Sequence, residues 1–402
     1  MSLVETYAAT VKKYFDRSPF GQWQASEDVQ TMEGLYVEDV WKLELATWPR
    51  LGGNALFVNL LPMMERATSL YVAEAPPGGA LEPERHLYEK FVVVLSGHGA
   101  TEVWQEGDTS RHVFEWGPGS VFSPPINTWH RMFNHGQEPA RFMCVIDAPQ
   151  IMNGFRNAEF VFNCNYAFRD RFNGREDYFS VSNKRQERGR TTVWETNLIH
   201  DCLEADLDTD YKKASGGQIT AFEMSGNSLV GHISEWPVGR YHKAHYHGPG
   251  AMLMGLRSEG FVLIWSSALG NRPYENGRGS DVVEVPWKRG TIYAPPGKWF
   301  HQHFNTGREP ARNMAIRYGS TINLTDFGPL VPDHFMEMAG HEERAMMVST
   351  QEGGTLLEYE DEDPAVRERF EAALTRNGVE SQMPPSLYEA DAAKEAARAL
   401  GG

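Results

Sequence analysis

Cysteine is scarce in this chain: Cys144, Cys164 and Cys202 are the three present in 402 residues. They are odd in number, far apart and never spaced as CxxC. That excludes a disulfide framework and a thiolate metal site, and predicts free thiols. Long apolar runs are also missing. No stretch approaches the ~20 residues that a membrane-spanning helix needs, and the amino-terminal MSLVETYAATVKKYFDRS lacks the apolar centre of a signal peptide. A cytoplasmic location is the expectation. Positive charge is the third shortage, with 38 Lys+Arg against 54 Asp+Glu and a net charge of −16. That excess repels phosphate backbones and anionic lipid surfaces, so neither nucleic acid nor membrane is an expected partner. A chain of 402 residues exceeds what one core usually supports, so two compact units are expected.

What the chain does have is an internal repeat. Gly119-Ser-Val-Phe-Ser-Pro-Pro-Ile-Asn-Thr-Trp-His130-Arg-Met-Phe-Asn134 aligns without a gap with Gly290-Thr-Ile-Tyr-Ala-Pro-Pro-Gly-Lys-Trp-Phe-His301-Gln-His-Phe-Asn305. The two share the glycine, a Pro-Pro pair, a histidine, a phenylalanine and an asparagine. Both are followed by Glu-Pro-Ala-Arg, at Glu138 to Arg141 and at Glu309 to Arg312. Earlier, Val94-Leu-Ser-Gly-His-Gly99 up to Trp104 lines up with Gly255-Leu-Arg-Ser-Glu-Gly260 up to Trp265. So many matches in the same order mean a duplicated unit.

Each unit reads as β structure. FVVVLSGHGATEVW and GFVLIW are rich in β-branched and aromatic residues, and SVFSPP and TIYAPP are short runs ending at prolines, which suit strand ends. Many short strands punctuated by Gly and Pro predict sandwiches or barrels. Helices are expected at the amino terminus, over Pro364 to Gly378 with its Asn-Gly stop, and in the final LYEADAAKEAARALGG. The expected division is a helical extension (1–34), a first barrel (35–152), a connector (153–192), a second barrel (193–328) and a carboxy-terminal extension with helices (329–402).

The second unit holds Arg240-Tyr-His242-Lys-Ala-His245-Tyr-His247-Gly-Pro-Gly-Ala251 and, later, His301. Residues two apart on a strand leave the same face, so His245 and His247 can meet a third imidazole from a neighbouring strand. Such a facial set leaves positions open for water, oxygen or substrate, and suits Fe(II), Mn, Ni, Cu or Zn. His245, His247 and His301 are the candidate metal ligands. His303, Asn305 and Arg257 are the catalytic candidates beside them. His303 faces inward with His301 and is favoured as an acid or base next to the metal, a fourth ligand and a core histidine being the alternatives; Asn305 is expected to brace its loop, and Arg257, with Lys298, could anchor an anionic group against the alternative of a solvated charge. His242 has the other strand parity and is expected at the surface. Met252 and Met254 are expected to pack the barrel interior.

These residues resemble the cupin superfamily. Its first motif, a Gly, then HxH, a Glu three or four residues on and a later Gly, is similar to Gly239…His245-Tyr-His247. Its second, G-x5-P-x-G-x2-H-x3-N, is similar to Gly290…Pro295-Pro-Gly297…His301…Asn305, with one residue missing before the proline and one added before the histidine. The resemblance spans about residues 35 to 325. It implies an all-β fold of two tandem cupin barrels (double-stranded β-helix, or jelly roll) with flanking helices. Length and layout look most like the gentisate-dioxygenase-like bicupins. That implies one divalent metal per chain on three histidines, Fe(II) favoured, a small-molecule substrate and a homo-oligomer. Two departures matter. Ala251 stands where the motif's glutamate is expected, and the first repeat has Glu84, His86, Lys90 and His130 at the ligand positions, so that barrel is expected to be metal-free. Gentisate-type enzymes are expected to use their first barrel, which weakens any transfer of substrate. The functional expectation is an Fe(II) dioxygenase cleaving a small aromatic or enolic compound. The alternatives are a non-oxidative metal-dependent lyase, isomerase, decarboxylase or hydrolase, and a non-catalytic bicupin that binds a small molecule.

Overall fold

The computed structural model describes residues 3–65, 68–188, 191–211, 213–248, 251–320 and 345–389. They form two β-barrels, each made of a large sheet closed by a three-stranded sheet. In the first, the strands Gly53–Leu60, Ser69–Ala75, Ala140–Ile146 and Lys90–Ser96 lie side by side, opposite Trp129–Asn134, Gly99–Trp104 and His112–Trp116. In the second, Gly217–Glu223, Leu229–Trp236, Ala311–Tyr318 and Met252–Arg257 lie opposite Val283–Lys288, Glu259–Ser266 and Trp299–Asn305. No helix among the described residues is long and apolar enough to cross a membrane.

Alternation along the strands decides which core each side chain joins. Val92 and Val94 fill the first barrel, whereas Phe91, Val93 and Leu95 face a third core between the barrels. Met252 and Met254 also belong to that shared core, while Leu253 between them points into the second barrel. The expectation that the two methionines fill the barrel interior is therefore corrected, because the large sheet is buried on both faces and the sequence pattern cannot tell the faces apart.

The repeat motif earns its residues at the joint between barrels. Tyr36–Val37, ahead of the first barrel, pairs with Ile292–Tyr293 of the second; Leu198–Ile199, ahead of the second, pairs with Val121–Phe122 of the first. The barrels thus exchange arms. Gly119 and Gly290 lie under the arms at φ 87° and 88°, and accept from Cys202 N at 2.8 Å and Val40 N at 2.9 Å. A Cβ on them would lie 2.4 Å from Asp201 and 2.1 Å from the Trp41 ring, so only glycine fits. The Glu-Pro-Ala-Arg arginines clamp the same arms. Arg141 donates to the carbonyls of Val40, Trp41 and Leu43, and Arg312 to those of Cys202, Leu203 and Ala205.

The flanks adjust the expected boundaries. Helices run over Leu3–Phe15 and Pro19–Ser26, but Thr31–Gly34 is already a strand of the first sheet. The connector holds the helix Ala158–Asn163 and ends in the strand Lys184–Arg188, which pairs with Thr191–Glu195 and so extends the second sheet. Pro364–Asn377 is helical, with Asp363 capping its start and Gly378 at φ 62° closing its end. Of the expected final helix, residues 390–402 lie outside the described residues. Cys144, Cys164 and Cys202 are free thiols.

Candidate metal centre

In the second barrel the strap 240–248 crosses the strand Trp299–Asn305. His245 and His301 face each other there and exchange backbone hydrogen bonds of 3.3 and 2.9 Å. The crossing brings donor atoms of His245, His247 and His301 within 4.8 Å of one another. Their ring centroids are 4.3 Å (245–301), 4.8 Å (247–301) and 5.9 Å (245–247) apart. Each Nδ1 faces a backbone carbonyl: Lys243 O at 3.2 Å, Gly248 O at 2.7 Å and Trp299 O at 3.2 Å. A carbonyl only accepts, so Nδ1 carries the proton in each ring and Nε2 keeps its lone pair. Burial holds the His245 and His301 imidazoles well below the usual histidine range, helped by Lys213 at His245 and by His247 and His303 at His301. Neutral rings with oriented Nε2 lone pairs are the form that ligates a metal, so the donor set fits a divalent ion. Ala251, buried, stands at the position where a carboxylate ligand was absent from the motif.

Beside the three rings lies a second polar group. His303, buried, shares a hydrogen bond of 2.8 Å between its Nδ1 and Tyr293 Oη, and its ring centroid is 5.6 Å from that of His301. In the first barrel the equivalent positions are Phe122 and Met132. Polar partners therefore replace an apolar pair together, in the barrel that has three histidines. Comparing the repeats position by position is the signal that would have found Tyr293. Lys213 was also missed. It is 5% exposed, its carbonyl accepts from Lys243 N at 2.6 Å, and its charge acts on His242, His245, His301 and His303. It comes from a turn some 30 residues before the strap, which no local pattern reveals.

Three expectations are corrected. His242 is buried rather than at the surface: its N donates to His303 O at 2.9 Å and its ring lies 4.3 Å from that of Trp236. The strap makes isolated bridges instead of a regular strand, so counting parity along it fails. Arg257 is not beside the histidines; its guanidinium binds Leu203 O at 2.7 Å and Glu204 at 3.0 Å on the crossing arm, and Glu235 of the strand Leu229–Trp236 at 3.2 Å. A bulge between Gly255 and Arg257 turns it there. Asn305 braces its turn as expected of the motif, donating to Pro237 O and Glu309 O at 3.1 and 3.0 Å and accepting from Gly307 N, so it has no catalytic position. Lys298 is exposed, and its backbone N donates to His247 O at 3.0 Å.

Over its described part, the carboxy-terminal extension packs on its own second barrel. Leu357 N donates to Ala244 O at 2.7 Å, and Thr355 Oγ1 to Tyr246 O at 2.7 Å, pinning the strap from outside. Glu362, buried behind it, accepts from Tyr241 Oη and from Gln302 Nε2, and burial pushes its carboxyl up to about 7.

The first barrel repeats the crossing with other side chains. Glu84 and His130 exchange backbone hydrogen bonds of 3.0 Å each, and donor atoms of Glu84, His86 and His130 lie within 4.8 Å of one another. His86 Nδ1 faces Tyr88 O at 2.7 Å and His130 Nδ1 faces Thr128 O at 3.2 Å. Lys90, fully buried, donates from Nζ to the Glu84 carboxylate. Burial alone would raise that carboxyl, but the Lys90 ammonium against it holds it well below the usual range.

Residues 71–146 match the family described as Cupin domain. That stretch of the first barrel is a cupin domain, and the second barrel repeats the same sheets, crossing and motif. No curated protein matches it significantly. Among solved structures it is similar to a tryptophan-to-tyrosine variant of Bacillus subtilis oxalate decarboxylase, 14% identical over 73% of this chain and 79% of that one, with a TM-score of 0.45. A deletion mutant of the same enzyme is 15% identical over the same shares, with a TM-score of 0.45. A likeness this distant carries no chemistry across to this chain.

Proposed function

We propose that this chain is a metal-dependent enzyme whose second barrel performs proton-transfer chemistry on a small anionic substrate, as a non-oxidative lyase, isomerase, decarboxylase or hydrolase. The observation that carries this reading is the Tyr293–His303 hydrogen bond beside three imidazoles, at positions that are Phe and Met in the other barrel. The Nε2 atoms of His245, His247 and His301 would hold one divalent ion, Mn, Zn, Fe, Ni or Cu. Once bound, it would supply Lewis acidity toward a carboxylate or carbonyl oxygen.

The chain's own residues supply the rest. Lys213 adds a buried positive charge and, among the described residues, no carboxylate belongs to the three-histidine set, so the site suits a negatively charged substrate. Tyr293 Oη and His303 Nδ1 hold one proton between them at 2.8 Å, and the pair can pass it to or from a substrate atom that reaches the His303 ring. Burial keeps His303 neutral, so a proton that reaches its ring is passed on rather than held. Trp236, Trp287 and Trp299 wall the barrel and exclude water from that exchange.

An Fe(II) dioxygenase is the second reading, favoured by a ligand set with no carboxylate, which leaves the full dication charge to an anionic substrate and oxygen. Anaerobic purification, elemental analysis, and turnover of candidate oxo acids and phenols with and without oxygen decide between the two. Oxygen-independent turnover with bound Mn or Zn supports acid–base chemistry. Consumption of one O2 per product by the iron form sinks it. His247→Ala should lower bound metal from one equivalent per chain to under a tenth.

A further inference from the structure

The first barrel builds a second donor set at the same crossing. Its Glu84 carboxylate and the Nε2 atoms of His86 and His130 converge within 4.8 Å. The side chains of His86 and His130 are 5% and 2% exposed. Their Nδ1 atoms face carbonyls, as in the second barrel, so each Nε2 carries a lone pair aimed inward. Neither Nε2 has a hydrogen-bond partner. A buried acceptor without a donor is costly, and here two sit beside one carboxylate. Three acceptors around one point call for a cation. The chain supplies one itself: the Lys90 ammonium, 0% exposed, is bound to Glu84.

The geometry points to Lys90 as a resident counter-cation that keeps the Glu84–His86–His130 set closed to metal, so that its removal turns the first barrel into a second divalent-metal centre. An ammonium and a dication cannot share one carboxylate at this depth, because their repulsion adds to the cost of burying both. Lys90 stands at the position that Ala251 takes in the second barrel, at the start of the strand Lys90–Ser96, so a carboxylate placed there would point at the same two Nε2 atoms.

The test uses the full chain with Mn(II) as the probe, in a His247→Ala background so that only the first barrel is counted. Equilibrium dialysis should give under 0.1 equivalent of Mn(II) per chain with Lys90 in place and about one equivalent with Lys90→Glu, at least a tenfold rise. The Lys90→Glu protein should also melt at a higher temperature in Mn(II) than in chelator, whereas the parent should not respond. Lys90→Met, which removes the ammonium without adding a charge, serves if Lys90→Glu fails to fold and should bind more weakly but measurably. Adding Glu84→Gln should abolish binding by Lys90→Met and weaken binding by Lys90→Glu, which keeps a carboxylate of its own. One equivalent bound to the parent, or none bound to a folded Lys90→Glu or Lys90→Met protein, overturns the proposal. Because the readout is a difference at the first barrel, it stands or falls apart from any activity of the second.

Discussion

At one crossing, His245, His247 and His301 meet with Ala251 opposite; at the other, Glu84, His86 and His130 meet with Lys90 opposite. The backbone is the same in both, down to the paired hydrogen bonds between strap and strand. What differs is where the charge comes from. The first barrel closes its own electrostatics with a buried carboxylate and ammonium, while the second brings three imidazoles together with no carboxylate in the set among the described residues. Duplication can preserve a scaffold while one copy neutralises itself internally and the other stays open to a ligand. The polar Tyr293–His303 pair, set against Phe122 and Met132, follows the open copy.

The largest expected effect tests this internal neutralisation. Glu84→Ala leaves the Lys90 ammonium buried and unpaired, which should cost about 3–5 kcal/mol, and adding Lys90→Met should recover most of the loss. Urea unfolding in chelating buffer measures both. If Glu84→Ala unfolds no more easily than His245→Ala, which removes only a neutral ring, the two crossings are not electrostatically different.

A second effect belongs to the open barrel alone. Glu362 braces its strap with a carboxyl near 7 in the fold, against 4.5 when exposed. The folded state therefore holds the extra proton between those values. Its contribution is fully present below about 4.5 and is lost as pH rises through 7, a change of up to about 3 kcal/mol. Proteolysis of residues 345–389 should accelerate as pH climbs from about 4.5 to 7 and level off above it, and Glu362→Gln should flatten that dependence. The brace of the first strap uses amide groups, Leu87 N to Val161 O and Asn127 Nδ2 to Cys164 O and Tyr166 O, and should show no such slope.

The smallest effect probes what the barrels share. Arg141→Lys and Arg312→Lys each lose the planar fork that reaches three carbonyls, at about 1–3 kcal/mol apiece. Equal losses by thermal unfolding are expected; a large inequality would show that one exchanged arm carries the joint.

Much of this was legible in the chain. The repeat predicted two β-barrels, and the spacing of His245, His247 and His301 predicted that they could meet, because strand periodicity and a duplicated motif are local patterns. The same patterns misled where the backbone leaves regular structure. His242 is buried because the strap bridges irregularly, and Arg257 turns away at a bulge. Met252 and Met254 face a core that exists only because two barrels pack together.

By itself, then, the amino-acid order determined the duplication, the strand-rich units and the histidine trio, since each depends on residues close in sequence or on matched copies. Only the tertiary structure decided that the barrels exchange arms under Gly119 and Gly290. It also brought Lys213 and the 345–389 segment to the histidine strap, and paired Lys90 with Glu84. Those contacts join surfaces of different strands and extensions, and the energy that selects them, burial and charge pairing across the fold, leaves no periodic trace along the chain.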